Sequence, residues 1–173
     1  IIDMIPAMAW STTADGMLDF ANQHFLEYVG LSLSDIAGEN FYRLFHPEDL
    51  ERLGTEWRNI MTSRTAKEVE GRLRRADGDF RWCSLRQKPR HDSEGKVVRW
   101  YGVVLDIEDR KQAEDALKET KAALAASEHN LRLIIDSLPV LVWSARPDGS
   151  ADFVNKSWLD YAGLPAEKIL GWG

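Results

Sequence analysis

From Lys67 onward the chain alternates with a period of two: Val69, Gly71 and Leu73 sit between Glu70, Arg72 and Arg74. This pattern predicts a strand with one covered face. Asp77-Gly78 and Glu94-Gly95 interrupt the pattern, and Phe80–Pro89 and Val97–Asp106 read as two further strands. Acid-Gly turns between consecutive strands predict an antiparallel meander. Upstream, Ala7–Ser11 and Leu18–Ala21 flank Asp15-Gly16 and read as a hairpin. Between these two sets the period becomes helical. Asn22 is placed to cap a helix that ends at Gly30 and carries Phe25, Leu26, Tyr28 and Val29 on its apolar side. Ser34–Ile36 reads as one more helical turn, closed by Gly38, and Phe41–Phe45 as a short apolar turn. Pro47 stands at a first helical position, and Glu48–Thr62 presents Leu50, Leu53, Trp57, Ile60 and Met61 as a core-facing stripe. Ile1–Ile5 reads as the end of a helix stopped by Pro6. The class is α+β: a five-stranded antiparallel sheet with helices on one face.

After the last strand the pattern changes again. Residues 107–133 contain no Pro or Gly and are rich in Ala, Glu, Lys and Leu, all strong helix formers. Leu117, Leu124, Leu131 and Leu138 recur at heptad spacing beside a second column of Ala113, Thr120, Ser127 and Ile134. A helix of this length spans roughly 40 Å. Its leucine column predicts a dimer seam, and its small and polar second column predicts a marginal one.

The chain also repeats itself. Residues 1–40 and 134–173 align without gaps at 17 of 40 positions. The matches include Pro6/Pro139, Trp10/Trp143, Asp15/Asp148, Gly16/Gly149, Asn22/Asn155, Tyr28/Tyr161 and Gly30/Gly163. So long a period points to tandem domains and not to a solenoid. The predicted organisation is a module at 1–106, a helical coiled-coil linker at 107–133 and the N-terminal part of a second module at 134–173. Leu141–Ser144, the expected first strand of that part, then lacks its central neighbour.

Composition narrows the function. The net charge of −6 argues against a general nucleic-acid binder, and no nucleic acid is expected as a partner. Residues 64–99 hold eleven Lys or Arg against six Asp or Glu, which we read as the solvated edge of alternating strands. Cys83 is the single cysteine, so no disulfide framework exists and a cytoplasmic setting fits. No apolar run reaches the about 20 residues needed to cross a bilayer, and the apolar start lacks a basic leader. The sequence reads as the middle of a longer polypeptide, with membrane spans elsewhere left open.

Many weak signals then fall in one order. They are Trp10, the Asp15-Gly16 turn, the Asn22 helix ending in Tyr28-x-Gly30, and His46-Pro47-Glu48-Asp49. Arg75-Ala76-Asp77-Gly78-Asp79-Phe80-Arg81-Trp82 and Gly95-Lys96 follow, then Gly102-Val103-x-x-Asp106-Ile107 leading into Asp109-Arg110-Lys111. Residues 1–111 thus resemble the PAS fold with its C-terminal PAC half, and the opening of that pattern recurs at 134–173. The resemblance implies a usually dimeric sensory module, not a catalyst, placed before a histidine kinase, cyclic-dinucleotide or transcription-factor output domain in the same polypeptide. One departure stands out: the family's closing Asp-Ile-Thr is here Asp106-Ile107-Glu108. Asp106 and Ile107 are the expected coupling point between the last strand and the linker.

The resemblance also frames the cofactor question. In light-sensing relatives a Cys adds to the flavin. Here Phe41 stands at that position in the run Gly38–Phe45, and Phe45 replaces a Gln. A covalent flavin adduct is therefore disfavoured. Haem is disfavoured because Glu48–Thr62 has no His, while His46 reads as a turn residue and His24, His91 and His129 as surface. Non-covalent flavin or another small ligand remains open. The candidate pocket lining is Trp10, Phe25, Tyr28, Leu44, Trp57 and Trp82. Both faces of the strands carry apolar residues, so inward and outward cannot be assigned, and the outer face is expected to be covered by the N-terminal helix or by a partner protomer. No phosphate-binding loop, paired-cysteine motif or nucleophile elbow occurs. The expectation is a non-catalytic sensory and dimerisation segment, with a ligand-binding redox sensor as the alternative.

Overall fold

The structure, a computed structural model, describes residues 7–171; the expected helix end at Ile1–Ile5 and its stop at Pro6 lie outside them. Contacts divide the chain into two units, Ile1–Ala113 and Glu114–Gly173.

The first unit holds strands β1 (Met8–Thr13), β2 (Leu18–Ala21), β3 (Lys67–Arg74), β4 (Phe80–His91) and β5 (Val97–Asp106). They form one antiparallel sheet in the order β2-β1-β5-β4-β3. Helices α1 (Gln23–Val29), α2 (Leu33–Ile36) and α3 (Leu50–Ser63) lie between β2 and β3, with 3-10 turns at Glu39–Leu44 and Pro47–Asp49. Local chemistry accounts for most boundaries. Asn22 accepts from the Phe25 amide at the start of α1, and Gly30 ends that helix in the left-handed region at φ 66°. Gly16, at φ 91°, supplies the positive φ that the β1–β2 turn requires.

Register assigns the faces. Val69, Leu85, Val104 and Met8 pair in one row across four strands, and all four are buried. The next row along is Gln87, Gly102, Trp10 and Ala21. At Gly102 the Trp10 indole lies directly over the backbone, and a Cβ there would overlap the ring. Glycine is thus what lets a tryptophan fill this part of the core. From the helix side, Leu53, Trp57 and Ile60 of α3 are buried. The rings of Phe41, Tyr42 and Phe45 lie 5.0, 5.1 and 5.3 Å from that of Trp57. Leu50, expected in the same stripe, is 39% exposed. It opens α3 beyond the edge of the layer, so the stripe starts at Leu53. The free edge of β3 is covered by residues 45–49. Phe45 bridges to Leu73, the His46 amide donates to the Arg72 carbonyl, and buried Asp49 accepts from the Arg72 amide and from its guanidinium Nε, both at 3.0 Å.

Helix α4 runs Glu108–Ser137, longer than the expected linker, and has no buried residue. No helix among the described residues is long and apolar enough to cross a membrane.

In the second unit, β6 (Trp143–Ala145) pairs, among the described residues, only with β7 (Ala151–Val154), followed by α5 (Lys156–Ala162). Local contacts of the first unit recur here. Asn22 accepts from the Ala9 amide and donates to the Ala7 carbonyl; Asn155 accepts from the Val142 amide and donates to the Val140 carbonyl. Ser11 bonds Asp19 and Ser144 bonds Asp152, while Leu18 bridges Gly38 and Ala151 bridges Gly171.

Candidate functional site

Asp106 closes β5 opposite Cys83 of β4, on the same side of the sheet as Val104. At this end of the sheet the helix layer supplies Tyr28, from the last turn of α1. Its hydroxyl donates to Asp106 Oδ2 at 3.0 Å and lies 3.6 Å from Cys83 Sγ. An ionised carboxylate only accepts, so the thiol is left to donate to the phenolic oxygen. The Arg81 guanidinium Nε stands 2.9 Å from the same Oδ2, as an ion contact and not an aligned hydrogen bond. The other oxygen, Oδ1, accepts from the Glu108 amide at 3.0 Å, one of the free amides opening α4. One side chain thus joins helix layer, sheet and linker.

The next residues are held in turn. The Ile107 amide donates to the Trp82 carbonyl, and Glu108 returns the bond by accepting from the Trp82 amide, each at 2.8 Å. Asp109 accepts from Arg81 at 2.9 Å. Arg110 and Lys111 both reach Glu70 on β3, at 2.6 Å. The Lys111 ammonium also lies 5.2 Å from the centre of the Trp82 ring, with Arg72 at 5.6 Å. Magnitudes rank these contacts. The exposed ion pairs contribute about 0–1 kcal/mol each, whereas hydrogen bonds to a charged group are worth about 1.5–3 kcal/mol. The joint therefore rests on the Asp106 and Trp82 contacts more than on Glu70.

Electrostatics fit a structural joint. Burial, then the neighbouring Cys83 and Asp106, pushes the Tyr28 hydroxyl well above its ordinary value. Burial pushes the Cys83 thiol up to about 11. The hydrogen bond from Lys111 holds Glu70 below its usual range. The one thiol is therefore protonated and inert near neutrality.

The expected pocket residues part company here. Trp10, Phe25, Leu44 and Trp57 are buried between sheet and helices. Tyr28 is half-buried with its hydroxyl at the joint. Trp82 does not line that interior: it precedes Cys83 and, by the alternation of strand side chains, faces the opposite side, under Lys111. The outer face also carries Tyr101 and Leu105, each more than 40% exposed. Arg81 and Lys111 stand inside the family pattern and Glu70 in the alternating strand, but neither pattern assigns them a role at the joint; Glu70 and Arg110, for instance, are 40 positions apart and share no motif.

Position 41 offers a phenyl ring packed against Tyr42, Phe45 and Trp57, not a thiol. His46 spends Nδ1 on the Glu48 amide. No cluster of metal-ligating side chains occurs among the described residues. The interior does hold orphaned polar atoms: Trp10 Nε1, Trp100 Nε1 and both amide atoms of Gln87 are buried with no hydrogen-bond partner among the described residues. Each such atom costs about 1–3 kcal/mol.

Comparison with known proteins places this geometry. A family model described as "PAS fold" matches residues 18–104. The chain is 34% identical over 176 residues to the peroxide stress-activated histidine kinase mak1 of Schizosaccharomyces pombe, covering 100% of this chain and 10% of that protein. It is 30% identical over 173 residues to the uncharacterized protein y4lL of Sinorhizobium fredii, covering 100% of this chain and 20% of that one. The chain therefore spans a fifth or less of the length of these two relatives. A solved sensory box histidine kinase/response regulator from Burkholderia thailandensis superposes with a TM-score of 0.56 at 28% identity, over 69% of this chain and 91% of that one.

Proposed function

The chain belongs to the PAS fold family, and on that premise we propose that it is a non-catalytic sensory and dimerisation segment which passes a change in its first unit through the Asp106 joint into α4. The observation that carries this reading is the joint itself: Asp106, Ile107, Glu108, Asp109, Arg110 and Lys111 each hold a contact to Tyr28 or to the sheet. A shift of α1 against β4 must move the Tyr28 hydroxyl relative to the carboxylate that opens the helix. The output domain we assign to the same polypeptide is a histidine kinase, as in the fission yeast relative; a cyclic-dinucleotide enzyme or transcription regulator is the alternative.

Leu117, Leu124 and Leu131 are 55–58% exposed and Leu138 is 39% exposed, which supports a homodimer along α4. Burying what remains of the first three gains about 1 kcal/mol each per helix. The resulting roughly 6 kcal/mol per pair falls near the low end of the about 4–15 kcal/mol cost of association. Such a seam is weak and easily biased, as a switch requires. Tyr101 and Leu105 on the outer sheet face are the second contact we assign to the dimer. The repeated Asn22 and Asn155 networks support a second PAS-like opening at 134–173, joined by the linker 107–133.

Sedimentation of the full chain at high micromolar concentration tests the seam. We expect a concentration-dependent dimer that Leu124→Asp abolishes; a wild-type monomer throughout would sink it. Tyr28→Phe, which removes one hydroxyl, tests the joint. Amide exchange at 108–111 should quicken several-fold, and unchanged exchange would remove Tyr28 from the route.

A second reading has its own observation. The partnerless atoms of Gln87, Trp10 and Trp100 suit a small polar ligand held inside the sheet-to-helix interior. The absorption spectrum and mass analysis of freshly purified, then denatured, protein test it: a retained small molecule supports it, and its absence at stoichiometric sensitivity refutes it.

A further inference from the structure

The eleven basic residues of 64–99 are not spread evenly round the fold. On β4, Arg86, Lys88 and Arg90 are exposed and alternate with buried Leu85 and Gln87 and half-buried Pro89. All three side chains therefore leave the outer face of the sheet. Tyr101, 43% exposed, is the cross-strand partner of Lys88, and Arg99 is the partner of Arg90. Arg86 is spent on Glu68 at 2.9 Å and Arg99 on Asp19 at 2.7 Å. Lys88 and Arg90 have no hydrogen-bond or ion-pair partner among the described residues. Like charges directly opposite each other, as Arg90 and Arg99 are, destabilise a sheet. This face thus carries uncommitted positive charge on a chain of net charge −6.

A groove of about 510 Å³ lies on the same face. Its lining is 66–68 at the start of β3, 86–88 of β4 and 101–103 of β5, with no residue of the helix layer. Gln87, which is buried, and Gly102 are register partners with no side chain on this face, and they form the floor. Glu68, Arg86 and Val103 are cross-strand partners in the row on one side, Lys88 and Tyr101 in the row on the other. Such rows lie about 7 Å apart along the strands. The trench between them has Val103 and Tyr101 as apolar walls and Lys88 at its rim, with Arg90 one step further along the same face.

We propose that this groove docks a protein segment that presents an apolar side chain flanked by carboxylates. The apolar side chain lies between Val103 and Tyr101, and the carboxylates meet Lys88 and Arg90. Charge selects this occupant over others. A second copy docking through the same half of the face would bring like charge to like. An anionic bilayer is held by clusters of about four or more Lys or Arg, and two uncommitted cations are too few. Tyr101 also stands in the dimer contact proposed above, so the segment and a second copy compete for it. That competition rests on the dimer reading; the docking site does not.

The test is a nuclear magnetic resonance titration of the isotope-labelled full chain with three synthetic peptides. The first carries a central Leu-Phe pair flanked by Asp and Glu, the second has Ala in place of the pair, and the third has Lys in place of the acids. The expected result is saturable amide shifts within 66–68, 86–90 and 99–103 with the first peptide, at a Kd of about 1 mM or below. The second peptide should bind at least several-fold more weakly, and the third should shift nothing there. K88Q with R90Q, at exposed positions where neither side chain holds the fold, should weaken the first peptide about tenfold. Shifts that track basic residues all round the fold, that survive the double variant or that the Ala peptide matches overturn the site, as does a Kd above about 1 mM. If the first peptide shifts nothing while these amides move with protein concentration alone, the face belongs to a second copy and the site is overturned too. Failure of the dimer reading looks different: the first peptide still binds, but sedimentation shows a monomer with and without it.

Discussion

Replacing Asp106 by alanine removes three contacts at once, and their sizes can be worked out separately. The Tyr28 hydroxyl loses a charged acceptor at 3.0 Å. Since Tyr28 is only half-buried, the lower part of the 1.5–3 kcal/mol range for such bonds applies, about 1.5 kcal/mol. The Glu108 amide loses its cap, about 0.5–1 kcal/mol. The Arg81 contact joins groups that are 29% and 28% exposed, and Arg81 keeps Asp109, so its loss costs about 0–1 kcal/mol. The sum is about 2–3.5 kcal/mol. At a urea dependence of about 1.5 kcal/mol/M this moves the midpoint of the first unit down by about 1.3–2.3 M. Asp106→Asn keeps one acceptor oxygen for the Glu108 amide and turns an amide NH2 toward the Tyr28 oxygen, so the cap survives, the Tyr28 bond reverses and the charge is lost; it should cost about 1–2 kcal/mol, less than alanine. Urea unfolding followed by tryptophan fluorescence measures both, and amide exchange at Glu108–Lys111 shows whether the helix start loosens in the alanine variant alone. Equal losses in the two variants would mean that charge, not hydrogen bonding, holds the joint. An alanine loss below about 0.5 kcal/mol would mean that Asp106 holds nothing.

Two further outcomes follow from the same geometry. Gly30→Ala places a Cβ 2.6 Å from that of Ala76 at φ 66°; we expect a loss of about 2–4 kcal/mol from clash and left-handed strain together. Ala76→Gly in the same chain should restore the clash part but not the strain, and a double-mutant cycle with no coupling would disprove the contact. Stability should also fall at alkaline pH. Cys83 titrates at about 11 in the folded protein against 9.0 in the unfolded chain, and Tyr28 is raised as well. A raised acid favours the folded state fully below the unfolded value, so stability declines as pH climbs from about 9 through 11. Cys83→Ala should shallow this decline; an unchanged slope would remove Cys83 as a cause.

Much of the fold was legible because its signals are local. Asn22 and Gly30 frame α1 through bonds that span only a few residues, and the acid-Gly turns set the meander. The candidate site was legible only in part. Asp106 and Ile107 stood out through a family pattern, but their partners did not. Tyr28 lies 78 positions from Asp106, and nothing in either neighbourhood signals the other. Trp82 was misplaced because strand alternation gives two faces without saying which is inner, and both faces here carry aromatic residues.

By itself, the sequence determined the elements, their turns, the repeat of the Asn-capped opening and a long helix with leucines at heptad spacing. These follow from backbone preference and periodicity, which act over a few residues. Only the tertiary structure decided that β1 lies beside β5 and which row of side chains is the core. It also decided that Gly102 makes room for Trp10, and that the first turn of α4 is clasped by Tyr28, Arg81, Trp82 and Glu70. Those are contacts between distant segments. Their energy is gained only once the sheet has closed, so no local pattern needs to announce them.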